Sequence, residues 1–155
     1  AVDLADVARH VVETLGPLAA RRGATIALAA EPAVVAGDRD ELVRMTENLV
    51  ENALKYGVDP ASGATRVEVG VSAEGRDARL SVRDFGPGVA PEHLPRLTER
   101  FYRVDPGKSR AEGGTGLGLA LVKHVAARHG GRLTVTSRLG EGAAFAVAIP
   151  LRSSD

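Results

Sequence analysis

The sequence predicts an α+β domain: a two-layer sandwich with helices on one face of a mixed, mainly antiparallel sheet. Apolar residues recur at helical spacing in three segments, and segments that alternate between polar and apolar residues lie between and after them. The alternating segments pair across short turns, which is typical of antiparallel hairpins. A chain of 155 residues, 44% of them apolar, suffices for one domain with its own core. We therefore expect a single domain over residues 1–155.

The bulk composition excludes several classes of protein. Twenty basic and twenty acidic side chains cancel, so no net charge favours binding to nucleic acid or an anionic membrane. The absence of cysteine excludes disulfides, thiolate metal sites and a cysteine nucleophile. No apolar run approaches the roughly 18 residues of a membrane span, and no signal peptide opens the chain. The chain starts directly in an amphipathic segment, as a fragment of a longer protein would.

The first third of the chain predicts one helix and two short strands. Apolar residues over 4–18 recur at helical spacing after a cap at Asp3, and Gly16-Pro17 should kink or end this helix. Residues 25–29 and 33–36 are predicted to be strands joined by a turn.

The central helix is predicted over 39–57, after a cap at Asp38, and the chain is organised around it. Its apolar residues cover one half of the helix surface, and Asn48, Asn52 and Lys55 form one stripe on the other half. Asparagine is unfavourable inside a helix because its amide competes for backbone hydrogen bonds. The helix alone is equally compatible with a solvated face and with a row of ligand-facing groups.

The second half of the chain predicts a long irregular segment between regular elements. The segment 89–113 shows no periodicity, and loops longer than about 12–15 residues in compact domains are usually functional or disordered. The regular elements predicted around it are strands 66–72 and 78–83, a helix over 117–128, and a closing hairpin of strands 132–137 and 143–150.

A glycine-rich stretch opens the last helix: Gly114, Thr115, Gly116, Leu117 and Gly118. Backbone N–H groups at a helix start, freed of side chains, suit phosphate oxygens. A Rossmann fingerprint would follow a strand directly, and a P-loop would contain Gly-Lys followed by Ser or Thr; neither condition is met. A hinge without a ligand remains the alternative for this stretch read alone.

The triplet Asp84-Phe85-Gly86 is not evidence for a protein kinase of the serine, threonine or tyrosine type. In those kinases the glycine-rich loop comes first and an H-R-D motif lies between, whereas here the order is reversed and H-R-D is absent. What remains is a carboxylate at a strand end, followed by Gly86 and Gly88, which permit close approach to a flat ligand.

Four motifs in order carry a family resemblance: N-x-x-x-N-x-x-K-Y, D-x-G-x-G, R-F-Y-R and G-T-G-L-G-L. Together they resemble the N, G1, F and G2 boxes of sensor histidine kinases, and the likeness extends from about residue 3 to residue 151. The domain that these boxes mark is the ATP-binding catalytic domain of the GHKL superfamily, which has the Bergerat fold. The resemblance implies ATP and Mg²⁺ as cofactors and an ATP lid over 89–113.

The resemblance also implies a role for each motif residue on the central helix. Asn52 corresponds to the Mg²⁺ ligand, and Asn48 lies one turn earlier beside the phosphates. Lys55 corresponds to the lysine that reaches the phosphates, and Tyr56 lies near the nucleotide. A neutral amide oxygen suits Mg²⁺, which keeps waters and substrate phosphates as its other ligands.

The remaining motif residues are assigned in the same way. Asp84 corresponds to the carboxylate that accepts a hydrogen bond from the adenine amino group, and Gly86 and Gly88 lie beneath the base. The F box supplies Phe101 and Tyr102, with Arg103 as the arginine that reaches the γ-phosphate. Asn48, Lys55 and Arg103 are thus the implied catalytic residues, and residues 114–118 bind on the phosphate side. Lys108 and Arg110 are either lid contacts to phosphate or part of a solvated loop.

The phosphoacceptor histidine is expected to lie outside this chain. In this family it is followed by an acidic residue and then by Arg and Pro, and none of His10, His93, His124 and His129 has that context. The implied partners are the protein's own dimerisation and phosphoacceptor domain and a downstream response regulator. The isolated domain is expected to be monomeric, its parent homodimeric, and its location cytoplasmic, in a bacterial sensor kinase with or without a membrane anchor.

Two other functions are compatible with the motifs. A self-contained GHKL ATPase of the gyrase or MutL kind would carry a glutamate where this chain has Asn48, in order to activate water. Glu47 and Glu51 are nearby, but they point roughly 100° and 60° away around the helix. A degenerate interaction domain that had lost nucleotide binding is the third possibility, and the intact motifs count against it.

Overall fold

The computed structural model describes residues 1–59, 61–89 and 118–153, which form two layers. The described helices are α1 (Leu4–Thr14), α2 (Gly16–Arg21), α3 (Arg39–Tyr56) and α4 (Gly118–Arg128). The described strands are β1 (Val2–Asp3), β2 (Ala24–Ala30), β3 (Val34–Val35), β4 (Thr65–Glu74), β5 (Asp77–Asp84), β6 (Arg132–Arg138) and β7 (Gly142–Pro150). None of these helices is both long and apolar enough to cross a membrane.

The main sheet has five strands in the order β2-β4-β5-β7-β6. All neighbouring pairs are antiparallel except β2 and β4, which run parallel. A parallel pair needs a crossover connection, and α3 lies in the chain between these two strands. The predicted fold class, a mixed and mainly antiparallel sheet with helices on one face, is confirmed.

A second, two-stranded sheet pairs β1 with β3, and the sequence did not predict β1. The strand predicted over 33–36 is present as Val34–Val35, but its partner is Val2–Asp3 rather than β2. A two-residue strand is too short to show any periodicity, so its pairing follows from tertiary contacts alone. The Asp3 carboxylate caps α1 through the N–H of Ala5 and also accepts the N–H of Ala33, both at 3.0 Å.

The core lies between the helices and one face of the sheet. Leu42, Met45 and Leu49 on the apolar side of α3 are fully buried, and so are Val67 and Val82 on the inward positions of β4 and β5. The break predicted at Gly16-Pro17 is also present, because α1 ends at Thr14 and α2 begins at Gly16 with a proline in its first turn.

The start of α3 is tied to the end of α4 by side chains from both helices. His129 Nε2 accepts the N–H of Asp38 at 3.1 Å, so its Nδ1 carries the proton and donates to the Val125 carbonyl at 2.8 Å. Beside it, Arg128 forms two hydrogen bonds of 2.7 and 3.1 Å with the Glu41 carboxylate. These contacts fix the relative position of the two helices that carry the N box and the last glycine of the G2 box.

Replacing His129 with alanine should therefore destabilise the domain. Each of its two hydrogen bonds is worth about 0.5–1.5 kcal/mol, and the bond to Asp38 is exposed, so we expect a loss of about 1–2 kcal/mol in the free energy of unfolding. Urea denaturation measures this loss. His124→Ala is the matched control, because His124 is exposed on α4, the helix that His129 directly follows. Equal stability of the two variants would contradict a tie through His129.

Candidate nucleotide-binding site

The polar stripe of α3 faces the start of α4. Asn48 is half-buried, and its Nδ2 donates to the Arg44 carbonyl at 2.8 Å, which leaves its Oδ1 free to accept. A Cβ added to Gly118, the first residue of α4, would lie 3.3 Å from that Oδ1. The structure thus brings together two predicted site residues, Asn48 and Gly118, and it directs an amide oxygen toward the end of the glycine-rich stretch.

Asn52 and Lys55 continue the stripe, and both are half-buried. The Asn52 amide forms no hydrogen bond with the described part of the chain, and Lys55 forms no ion pair there. A half-buried amide without a protein partner fits the predicted magnesium ligand, because its oxygen is available to a hard cation. Tyr56 ends the helix in a half-buried position.

Asp84 is the last residue of β5 and is only 5% exposed. Its Oδ1 accepts two backbone hydrogen bonds, from Gly86 N–H at 3.0 Å and from Ala143 N–H at 3.3 Å. Its Oδ2 has no hydrogen-bond partner among the described residues. Burial raises the pKa of this carboxyl, and the two N–H donors and the neighbouring Arg83 partly offset the rise. The result is a fixed carboxylate with one oxygen available to a ligand.

The end of α3 packs directly against the loop that follows Asp84. A Cβ added to Gly57 would lie 2.6 Å from Asp84 Cβ, and one added to Gly86 would lie 2.7 Å from Gly57 Cα. Both are closer than real Cβ contacts, so the two backbones meet only because both residues are glycine. This contact brings the end of the N-box helix against the G1 motif.

Packing within the chain accounts for Gly86 and Gly88 without a ligand. Gly88 has φ +77°, and a Cβ there would overlap the carbonyl of Arg138 in the β6–β7 hairpin. The predicted position of both glycines beneath the base therefore stays a prediction. Close packing within the chain is by itself sufficient reason for glycine at these two positions.

Phe85 turns away from Asp84. Neighbouring residues at a strand end point to opposite faces. The guanidinium groups of Arg66 and Arg83 lie over the Phe85 ring, at 3.9 and 4.5 Å from its centroid. These cation–π contacts explain the aromatic residue inside the Asp84-Phe85-Gly86 triplet.

Several predicted residues lie outside the described residues. They are the F-box residues Phe101, Tyr102 and Arg103, the glycine-rich residues Gly114, Thr115, Gly116 and Leu117, the cations Lys108 and Arg110, and all of the predicted lid after Val89.

The sequence did not reveal that the β6–β7 hairpin contributes to the site. Its contribution at Asp84 is a backbone N–H group, from Ala143, and a backbone donor leaves no signature in the choice of residue. In the sequence, the two glycines at 140 and 142 indicate a tight turn there, and in the structure both have positive φ.

The chain belongs to the family described as histidine kinase-, DNA gyrase B-, and HSP90-like ATPase, whose sequence profile matches residues 37–153. The phosphate regulon sensor protein PhoR of Pseudomonas aeruginosa is 50% identical over 129 residues, which cover 83% of this chain and 28% of PhoR. The sensor-like histidine kinase SenX3 of Mycolicibacterium smegmatis is 44% identical over 116 residues, which cover 75% of this chain and 29% of SenX3. The chain therefore spans less than a third of the length of these relatives.

Solved structures agree with the sequence relatives. The mycobacterial sensor histidine kinase MprB superposes with a TM-score of 0.79 at 31% identity, over 97% of this chain and 96% of the MprB chain. Full-length ShkA, solved in complex with AMPPNP, gives a TM-score of 0.82 at 33% identity, over 99% of this chain and 31% of ShkA. These likenesses confirm the Bergerat fold and the predicted class, the ATP-binding catalytic domain of a sensor histidine kinase.

Proposed function

We propose that this domain binds Mg·ATP and transfers the γ-phosphate to a histidine on a separate dimerisation and phosphoacceptor domain. The observation that carries the proposal is the contact between Gly57 and Gly86. It supports the proposal because Asp84 lies against the end of α3, the helix that carries the amides of Asn48 and Asn52. This arrangement suits a ligand with a hydrogen-bonding base at one end and phosphates at the other.

At the base end, the free Oδ2 of Asp84 accepts the exocyclic amino group of adenine. An ionised carboxylate attracts that donor but repels the carbonyl oxygen that guanine has at the same position. A buried acceptor held by two backbone donors discriminates well between such groups, because a mismatched polar group would be left unpaired. We therefore propose that ATP is preferred over GTP.

At the phosphate end, Asn52 holds Mg²⁺ through its amide oxygen, and Asn48 presents a second neutral oxygen beside Gly118. When bound, the ion neutralises and orients the phosphate oxygens. Lys55, which has no ion-pair partner among the described residues, supplies positive charge on the same stripe. We assign the corresponding role at the γ-phosphate to Arg103, as the family resemblance implies.

The partners follow from the same proposal. The acceptor histidine lies on the protein's own dimerisation domain, and a response regulator receives the phosphoryl group afterwards. The relatives PhoR and SenX3 are named as sensor proteins, and this chain spans under a third of either. We propose a cytoplasmic location for the domain in its parent protein.

Replacing Asn52 with alanine should abolish phosphotransfer with little loss of stability. The variant removes the magnesium ligand, but the side chain is half-buried and makes no hydrogen bond within the described part of the chain. The assay mixes this chain with the dimerisation domain of its parent and Mg·ATP, and it measures phosphohistidine on the partner. Glu47→Ala is the matched control, since Glu47 lies about 140° away from Asn52 around the helix.

Two outcomes would count against this proposal. Transfer by Asn52→Ala at the wild-type rate would remove Asn52 from the metal site. Wild-type protein that binds Mg·ATP tightly and yet never labels the partner would contradict the kinase function itself.

A further inference from the structure

The β6–β7 hairpin forms hydrogen bonds with the loop that follows Asp84. The Gly140 N–H donates to the Pro87 carbonyl at 2.8 Å. The Val89 N–H donates to Ser137 Oγ at 2.7 Å. Residues 84–89, which carry the G1 motif, are therefore bonded to the hairpin at two points besides Asp84 itself.

Ser137 also acts on the peptide group that supports Asp84. Its hydroxyl donates to the Gly142 carbonyl at 3.0 Å. The N–H on the other side of that same peptide group belongs to Ala143 and donates to Asp84 Oδ1 at 3.3 Å. An unbroken relay of hydrogen bonds thus runs from the Val89 N–H through the Ser137 hydroxyl and the Gly142–Ala143 peptide to the Asp84 carboxylate.

The Gly142–Ala143 peptide needs such support. Gly142 has φ +89°, and a Cβ there would overlap the Asp84 carbonyl oxygen, so the position is restricted to glycine. Glycine leaves the adjoining peptide plane with more rotational freedom than any other residue would. A hydrogen bond to the carbonyl restrains that plane, and it also polarises the peptide so that its N–H becomes a stronger donor.

We propose that Ser137 is a positioning residue for base recognition: through the Gly142–Ala143 peptide, its hydroxyl orients the Asp84 carboxylate toward the adenine amino group. The proposal deepens the nucleotide-binding function and rests on it. A Ser137 that merely stabilised the hairpin would affect the folded population, but it would not alter the carboxylate of Asp84 in the folded protein.

The test compares two variants of nearly equal shape. Ser137→Thr keeps the hydroxyl and Ser137→Val replaces it with a methyl group, and both residues suit a strand. Ser137→Ala removes the hydroxyl without adding bulk. Thr136→Val is the control, because Thr136 is an exposed neighbour on the same strand and outside the relay.

We expect Ser137→Val and Ser137→Ala to bind ATP about 3- to 10-fold more weakly than wild type in calorimetric titrations, as the loss of one neutral hydrogen bond would do. Ser137→Thr and Thr136→Val should bind like wild type. The Val89 amide should also exchange its hydrogen faster in the Val variant than in the Thr variant.

A second measurement needs no nucleotide. The Ala143 N–H lowers the pKa of Asp84, so a weaker donor at this position should raise that pKa. NMR titration of the Asp84 carboxyl should therefore show a higher pKa in Ser137→Val than in Ser137→Thr. Equal Asp84 titration in the Val and Thr variants would overturn the relay. Failure of wild-type protein to bind ATP would instead overturn the proposed function, while the titration would still decide the role of Ser137.

Discussion

Asp84→Ala is expected to weaken ATP binding about 10- to 150-fold, which corresponds to the 1.5–3 kcal/mol of a hydrogen bond to a charged group. The carboxylate is 5% exposed and held by two backbone donors on Oδ1, so its position is set before the ligand arrives. The variant leaves an unpaired adenine amino group at the base end of the site. Isothermal titration with Mg·ATP measures the effect, and near-wild-type affinity would remove Asp84 from the site.

Asp84→Asn tests the direction of the hydrogen bond. The N–H groups of Gly86 and Ala143 would hold the amide oxygen in the place of Oδ1, so the amide NH₂ would occupy the place of Oδ2. That donor faces the donor of adenine but matches the carbonyl oxygen of guanine. We expect a loss of ATP affinity at least as large as in Asp84→Ala, together with a smaller preference for ATP over GTP. An unchanged ratio of the two affinities would show that the base does not contact this residue.

The raised pKa of Asp84 makes the stability of the domain depend on pH. Burial raises this pKa, so the folded protein binds the proton more tightly than the unfolded chain does. The ionised carboxylate therefore costs stability at neutral pH, and that cost shrinks as the pH falls below the folded pKa and is gone below the unfolded pKa. Nucleotide-free Asp84→Asn should be at least as stable as wild type at pH 7.

ATP affinity should change with pH in the opposite sense. A proton on Oδ2 blocks the oxygen that accepts the adenine amino group, so wild-type affinity should fall as the pH drops through the raised pKa. The fall should begin at a higher pH than for an ordinary aspartate, and it should be absent in Asp84→Asn.

The central helix and the strand ends could be predicted from the sequence because their signals are local. The period of apolar residues defines α3, and alternation defines β4 and β5, whose inward valines are buried as that pattern requires. The same local patterns placed Asp84 at a strand end and Asn48 on a polar stripe. The motifs then assigned these residues to one site, which the Gly57–Gly86 contact supports.

The contacts that the sequence could not predict join residues far apart in the chain. His129 and Asp38 are bonded across 91 positions, and Ala143 reaches Asp84 across 59. In each bond at least one partner is a backbone group, which any residue type would supply. The parallel pairing of β2 with β4 was missed for a related reason, since the direction of a strand is decided by its crossover and not by its own residues.

The isolated chain should bind Mg·ATP and yet hydrolyse it very slowly. Hydrolysis needs a base that takes a proton from water, and a positioned base typically contributes about 10²–10⁴-fold. At the position where a GHKL ATPase carries glutamate, this chain has Asn48. Its amide is neutral and its Nδ2 is already bonded to the Arg44 carbonyl, so it can accept no proton at neutral pH.

The four carboxylates of α3 do not substitute for that base. Asp40 and Glu41 lie in the first turn, at the far end of the helix, and Glu41 is paired with Arg128. Glu47 and Glu51 project roughly 100° and 60° away from Asn48. We therefore expect nucleotide binding, very weak ATPase activity and no self-phosphorylation, with phosphohistidine formed only when the dimerisation domain is added. A coupled assay for ADP release measures the first rate. Steady turnover of several molecules per second that Asn48→Ala abolishes would contradict the kinase function and favour a self-contained ATPase.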